Sequence, residues 1–150
     1  MRIINIILAL CILAGCAPAP QYCGQLIIKN CTEAPLSVQS NLVCPSGDYP
    51  SDVSIAPGGF FEIAETDNYP EAISVTIDKF FSNHNDAAIT ISATFDGVQF
   101  TRTWKYADRN NDQKTLFDLN DCSFESGQDL RKKYTIMNYI FTIHEEDLRP

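Results

Sequence analysis

The segment AAITISATFDGVQFTRTWKY, residues 87–106, constrains the fold more than any other stretch of the chain. Apolar and polar residues alternate on both sides of Asp96-Gly97, the dipeptide suited to a two-residue type I′ turn, whose central positions both need positive φ. Closing that turn pairs Phe95 with Val98, Ala93 with Phe100, Ile91 with Arg102 and Ile89 with Trp104. One face then carries Ile89, Ile91, Ala93, Phe95, Val98, Phe100 and Trp104, and the other is almost all Ser, Thr and Gln. This is the pattern of an antiparallel hairpin with one face in a core and one in water.

Period-two alternation and β-branched residues continue through much of the chain from residue 25 on. QLIIKNC (25–31) and LSVQSNLVC (36–44) read as a hairpin closed at TEAP, and PSGDYPSD (45–52) as a loop. VSIAPGGFFEIAE (53–65) reads as two short strands around Pro57-Gly58-Gly59, and AISVTID (72–78) as a further strand. The 120–133 stretch reads as irregular, with room for a short helical turn. YTIMNYIFTIH (134–144) is the longest strand, with Met137, Tyr139, Phe141 and Ile143 on one face and Ile136 and Ile140 on the other. Apolar residues on both faces indicate a central or doubly covered strand. About nine short strands without a clear helix predict an all-β antiparallel β-sandwich, immunoglobulin-like or Greek-key, with a small β-barrel as the alternative.

The N-terminus predicts the compartment. Arg2 precedes a mostly apolar run, Ile3 to Leu13, which is the size of a signal-peptide core and too short to span a bilayer. Leu13-Ala14-Gly15-Cys16 resembles a bacterial lipobox, which implies cleavage before Cys16 and lipidation of its thiol. The expected organisation is a signal peptide (1–15), a lipidated cysteine and short Pro-Ala tether (16–24), and a single β domain (25–150). Two or more acyl chains would anchor the protein stably to a membrane. Ala17 after the lipid cysteine, with no acidic export signal, favours the periplasmic face of the outer membrane.

Cys11 leaves with the leader, so Cys23, Cys31, Cys44 and Cys122 remain. An even set in an oxidising space predicts two disulfides. If the first hairpin closes around Glu33, a one-residue shift brings Cys23 opposite Cys44 and leaves Cys31 with Cys122. A larger slip or a bulge favours Cys31–Cys44 with Cys23–Cys122, and the sequence allows three connectivities.

Composition excludes some functions. The chain's net charge is −8, which argues against nucleic acid or anionic lipid as a partner of the domain. Asp108-x-Asn110-x-Asp112 copies the start of a calcium loop, but Gln113 stands where that loop needs glycine and Leu119 where it needs a bidentate Glu. The cysteine spacings lack the close pairs of a zinc site, so neither a metal nor another cofactor is expected. His84 and His144 lie in separate segments, and no nucleophile elbow or phosphate loop appears. Arg102 is unusual because the hairpin register puts it on the apolar face. Trp104 and Tyr106 beside it, with Tyr134 and Tyr139, are the candidate stacking surfaces for a sugar. Asn30-Cys31-Thr32 has the spacing of a glycosylation sequon.

The leader, WKYADRNNDQKTLFDLNDCSF (104–124) and YTIMNYIFTIHEEDL (134–148) resemble small lipoproteins of the gut Bacteroidales. The resemblance implies an exported β domain and carries no site residue over. The expected function is a non-enzymatic, lipid-anchored accessory, adaptor or inhibitor that binds an envelope protein. The alternatives are a carbohydrate-binding module built on Trp104, Arg102 and Tyr106, and a hydrolase with a dispersed site using His84 or His144.

Overall fold

The computed structural model describes residues 21–41, 52–66, 76–81, 85–111, 113–129 and 134–149. The leader, Cys16, Cys44, His84 and Asp112 lie outside them, as does most of the 72–78 segment.

The hairpin expected from the sequence is present. Strands β5 (Ala88–Phe95) and β6 (Val98–Lys105) pair in the expected register, with Ile89 opposite Trp104 and Phe95 opposite Val98. Asp96 and Gly97 adopt φ of 53° and 78°, as the turn requires. Ile89, Ile91, Ala93, Phe95 and Trp104 are buried, whereas Val98 sits exposed at the rim. On the outer face hydroxyls bridge the strands, Thr90 to Thr103 at 2.8 Å and Ser92 to Thr101 at 2.9 Å.

Around this hairpin the chain forms two four-stranded sheets. The other strands are β1 (Gln21–Asn30), β2 (Leu36–Ser40), β3 (Asp52–Ile55), β4 (Phe60–Glu65), β7 (Ser123–Asp129) and β8 (Tyr134–Ile143). One sheet runs β4-β1-β8-β7 and the other β3-β2-β5-β6, so the fold is a β-sandwich and not a closed barrel. The core between them is filled by Leu26, Ile28, Leu36, Phe81, Leu116, Phe117, Phe141 and Ile143, all fully buried, among others. No helix among the described residues is long and apolar enough to cross a membrane.

The expected hairpin between 25–31 and 36–44 does not form, because β1 and β2 belong to different sheets. A buried asparagine at the corner explains this. The Asn30 side-chain oxygen accepts from both the backbone N–H and the hydroxyl of Thr32, each at 2.8 Å. Its amide nitrogen donates to the carbonyls of Ala34 at 2.8 Å and Ile55 at 3.0 Å. With its polar atoms paired, Asn30 tolerates complete burial and turns the chain across the sandwich instead of back along β1. The corner between β3 and β4 docks on the same residue. Gly58 N–H donates to the Asn30 carbonyl and Asn30 N–H to the Gly59 carbonyl, both at 2.9 Å. Gly58 holds φ of 73°, and a Cβ on Gly59 would lie 2.9 Å from the Ala56 carbonyl. The two strands expected around Pro57-Gly58-Gly59 are therefore real, but the corner sends them to opposite sheets.

β1 lies between β4 and β8, and it pairs with β8 in parallel over ten residues, from Gln21–Tyr134 to Asn30–Ile143. β8 is thus central, as its two apolar faces required. Two other expectations fail. Ile77–Phe81 is a short helix, α1, so the end of the 72–78 segment, expected as a strand, is helical. A strand would send Phe80 and Phe81 to opposite faces, whereas a helical turn lets both point inward. Both are buried, and Phe81 packs edge-on against Phe117 at 4.9 Å. In the stretch expected to be irregular, a 3-10 turn at Leu119–Asp121 leads into β7.

Candidate functional site

The three residues that the sequence offers for ligand binding are engaged inside the fold. Trp104 is 5% exposed, and its ring meets Phe141 edge-on at 5.8 Å. Its indole N–H donates to the Lys114 carbonyl at 3.1 Å. Arg102 lies with its guanidinium 4.9 Å from the Trp104 ring centre and donates to the main-chain oxygen of Asp147 at 2.9 Å. Tyr106 is 4% exposed and belongs to a different cluster. Its hydroxyl donates to the Asp78 carboxylate of α1, and the Arg109 guanidinium lies 4.0 Å from the centre of its ring. Burial, reinforced by the Asp78 carboxylate, holds the Tyr106 phenol above its ordinary pKa. A sugar cannot stack on rings that are already covered on both faces, so Trp104 and Tyr106 do not form a glycan platform.

Around Arg102 the structure assembles a clasp from residues distant in sequence. The Lys114 ammonium donates to the Asp147 carboxylate at 2.6 Å and to the Thr142 carbonyl at 2.8 Å. The same carboxylate accepts the backbone N–H of His144 at 2.8 Å. Arg149 pairs with Glu145 and, at 3.3 Å, with Asp96 at the hairpin tip, while its guanidinium lies over Phe95 and Phe100. The 3-10 turn Glu145–Asp147 is thereby fastened onto the edge of β6. Each charge meets an opposite charge or a carbonyl, and nothing in the group is poised as a nucleophile or a base. His144 is exposed, and among the described residues no hydrogen bond joins its ring to a carboxylate or hydroxyl.

The cysteines do not follow the expected pairing. No disulfide joins those in the described residues. The ladders explain why. Ser123 stands opposite Ile140, which stands opposite Ile27 across β8. Cys122 is therefore level with Ile28, two strands across from β1. Cys31 is three residues farther along, so the two are separated by roughly 10 Å in each direction. Cys23, opposite Ile136, is five residues from the level of Cys122, roughly 17 Å. Cys23 and Cys31 sit at opposite ends of one strand. All three separations exceed the ~7 Å Cα limit for a bridge. The expected Cys31–Cys122 and Cys23–Cys122 bridges are thus excluded, and Cys23, Cys31, Cys44 and Cys122 cannot pair among themselves into two disulfides within this fold. A Cys23–Cys44 or Cys31–Cys44 bridge involves a residue outside the described ones.

The thiols differ in environment. Cys23 is 1% exposed, with its sulfur 3.0 Å from a Glu65 carboxylate oxygen and 3.4 Å from the Thr66 carbonyl. Cys31 is exposed. Burial, with Asp121 and Asp118 nearby, pushes the Cys122 thiol up to about 12, so it stays protonated at neutral pH.

Among the described residues no group of three His, Cys, Asp or Glu side chains could hold a metal ion. An open groove of about 290 Å³ on the outer face of the second sheet is lined by Ser37, Ser54, Ser92, Thr94 and Gln99, with no charged group in its lining. Sequence reasoning missed Asn30, Lys114, Asp147 and Asp78. Of these, Asn30 carried a local signal, because Asn-x-Thr is also the spacing at which an asparagine oxygen accepts the N–H two residues on. The others are paired across 28 residues or more and leave no local trace. The chain matches no known protein family, curated protein or solved structure.

Proposed function

We propose that the protein is a non-enzymatic, lipid-anchored component of the cell envelope whose sandwich binds a protein partner as an accessory subunit, adaptor or inhibitor. The leader ending in Leu13-Ala14-Gly15-Cys16 supports an anchor at Cys16 on the periplasmic face of the outer membrane. β1 begins five residues after that cysteine in sequence, and its far end stands roughly 30 Å from its start. The observation that carries the reading is at that far end. Phe60, paired with Lys29 beside the Gly58 corner, is 74% exposed, the most exposed large apolar side chain among the described residues. An exposed aromatic at the end of β1 opposite to its start is the kind of side chain that centres a protein interface.

The test is affinity purification of the tagged protein from detergent-solubilised native envelope, beside Cys16→Ser and Phe60→Ala versions. A stoichiometric partner that is lost with either substitution is the expected result. Phe60→Ala should weaken that partner by about tenfold or more while leaving the fold intact. Recovery of the protein without a stoichiometric partner sinks the reading.

A further inference from the structure

β7 is an edge strand unlike the others. It spans seven residues, Ser123–Asp129, with an unbroken register to β8. Ser123 through Gln128 are all exposed, so this strand overhangs the sandwich on both faces. Phe124 is 53% exposed and, among the aromatic rings of the described residues, touches only Tyr139, at 5.5 Å. The strand has no proline, lysine or bulge, the usual devices that blunt an edge. No strand among the described residues pairs with its outer side.

The direction of its free backbone groups follows from the ladder. The Ile143 carbonyl accepts from Cys31 on the β1 side. Odd-numbered residues of β8 therefore bond to β1, and even-numbered ones face β7. The even-numbered partners are opposite Ser123, Glu125, Gly127 and Asp129, which use their backbone groups on β8. Phe124, Ser126 and Gln128 thus turn their N–H and C=O groups outward.

We infer that β7 pairs antiparallel with β7 of a second copy of this chain, about a two-fold axis at Ser126. In this register Ser126 meets Ser126 and Phe124 meets Gln128. Every outward N–H of one copy then finds an outward C=O of the other. Glu125 falls opposite Gly127, where there is open space around the missing Cβ, and Ser123 falls opposite Asp129. Shifting the centre to Glu125 sets two copies of that carboxylate face to face. Like charges directly opposite destabilise a pair. Shifting the centre to Gly127 sets Phe124 against position 130, beyond the end of the strand. The strand is therefore self-complementary in the one register that uses its whole edge, and the product is a closed, isologous dimer. The whole sequence has a net charge of −8 and each copy is strongly acidic, so association strengthens as salt screens the repulsion.

The experiment uses the full, acylated protein in density-matched detergent, with mass determined by sedimentation at low and high salt. The expected wild-type result is twice the monomer mass, tightening with salt. Ser126→Pro removes an outward N–H without removing a bond to β8, a substitution that edge strands tolerate, and it should give a monomer. Ser126→Cys should cross-link to a dimer under mild oxidation. Ser123→Cys should cross-link no faster than wild type, since its counterpart lies six residues away, roughly 20 Å. A wild-type monomer at all salt concentrations overturns the inference. So does a dimer that Ser126→Pro leaves intact, or equal cross-linking at positions 123 and 126. If Ser126→Pro does not fold, the two cysteine variants decide.

Discussion

β6 and β7 are both edge strands, one in each sheet, and the chain treats them in opposite ways. β6 is capped by the C-terminal turn. Arg102 reaches across to the Asp147 carbonyl, and Arg149 spreads over Phe95 and Phe100. Trp104 lies sealed beneath, held by Lys114. β7 has no such cover among the described residues, and from Ser123 to Gln128 both its faces meet water. An edge can be closed by distant parts of the same chain, or left as a template.

Substitutions on the two edges should therefore differ in size. Trp104→Ala removes a buried ring from beneath β6 and leaves a cavity, at a cost of about 3–5 kcal/mol, read as a lower urea midpoint with unchanged slope. A shift below ~1 kcal/mol would mean that the clasp does not seal this edge. Asp147→Ala strands the Lys114 ammonium and the His144 N–H together. Because Lys114 is partly exposed, the loss should be about 2–3 kcal/mol, and Lys114→Met in the same background should recover part of it. Phe124→Ala, the matching test on β7, should cost less than ~1 kcal/mol in dilute solution, because half the ring is already in water. The thiols sharpen the contrast at the start of β7. Below pH 9 alkylation should label Cys31 well before Cys122. The native thiol pKa of Cys122 is raised above its unfolded value, so its contribution to stability is complete below about pH 9 and is lost as pH rises through about 12. Equal labelling in native protein would contradict the burial of Cys122.

The sequence made β6 far more legible than β7, for a physical reason. A hairpin with an Asp-Gly turn is determined by neighbours, so its register to Trp104 could be counted outward from residue 96, and Arg102 was placed on the inner face correctly. What Arg102 does there depends on Asp147, 45 residues away, which no periodicity encodes. β7 has no buried side of its own, so its residues show no apolar alternation and read as irregular. The parallel pairing of β1 with β8 was invisible because it joins the two ends of the domain, and register between such distant strands leaves no pattern in either. Trp104 and Tyr106 misled for a related reason. Rings with a polar edge serve equally at a surface or in a core, and burial is decided by partners elsewhere, here Lys114 and Asp78. The cysteines misled because parity was read as pairing, while the ladders hold three of them too far apart.

The parallel pairing of the first strand with the last has a mechanical consequence. A pull on the chain ahead of Gln21 is directed along β1, which is held on one side by β8 through ten residues and on the other by β4. Such a load acts lengthwise on both ladders. Their hydrogen bonds resist together in shear instead of opening one after another, as they would if the strand were peeled from an edge. A first strand held in this way is built to carry tension applied lengthwise at its start.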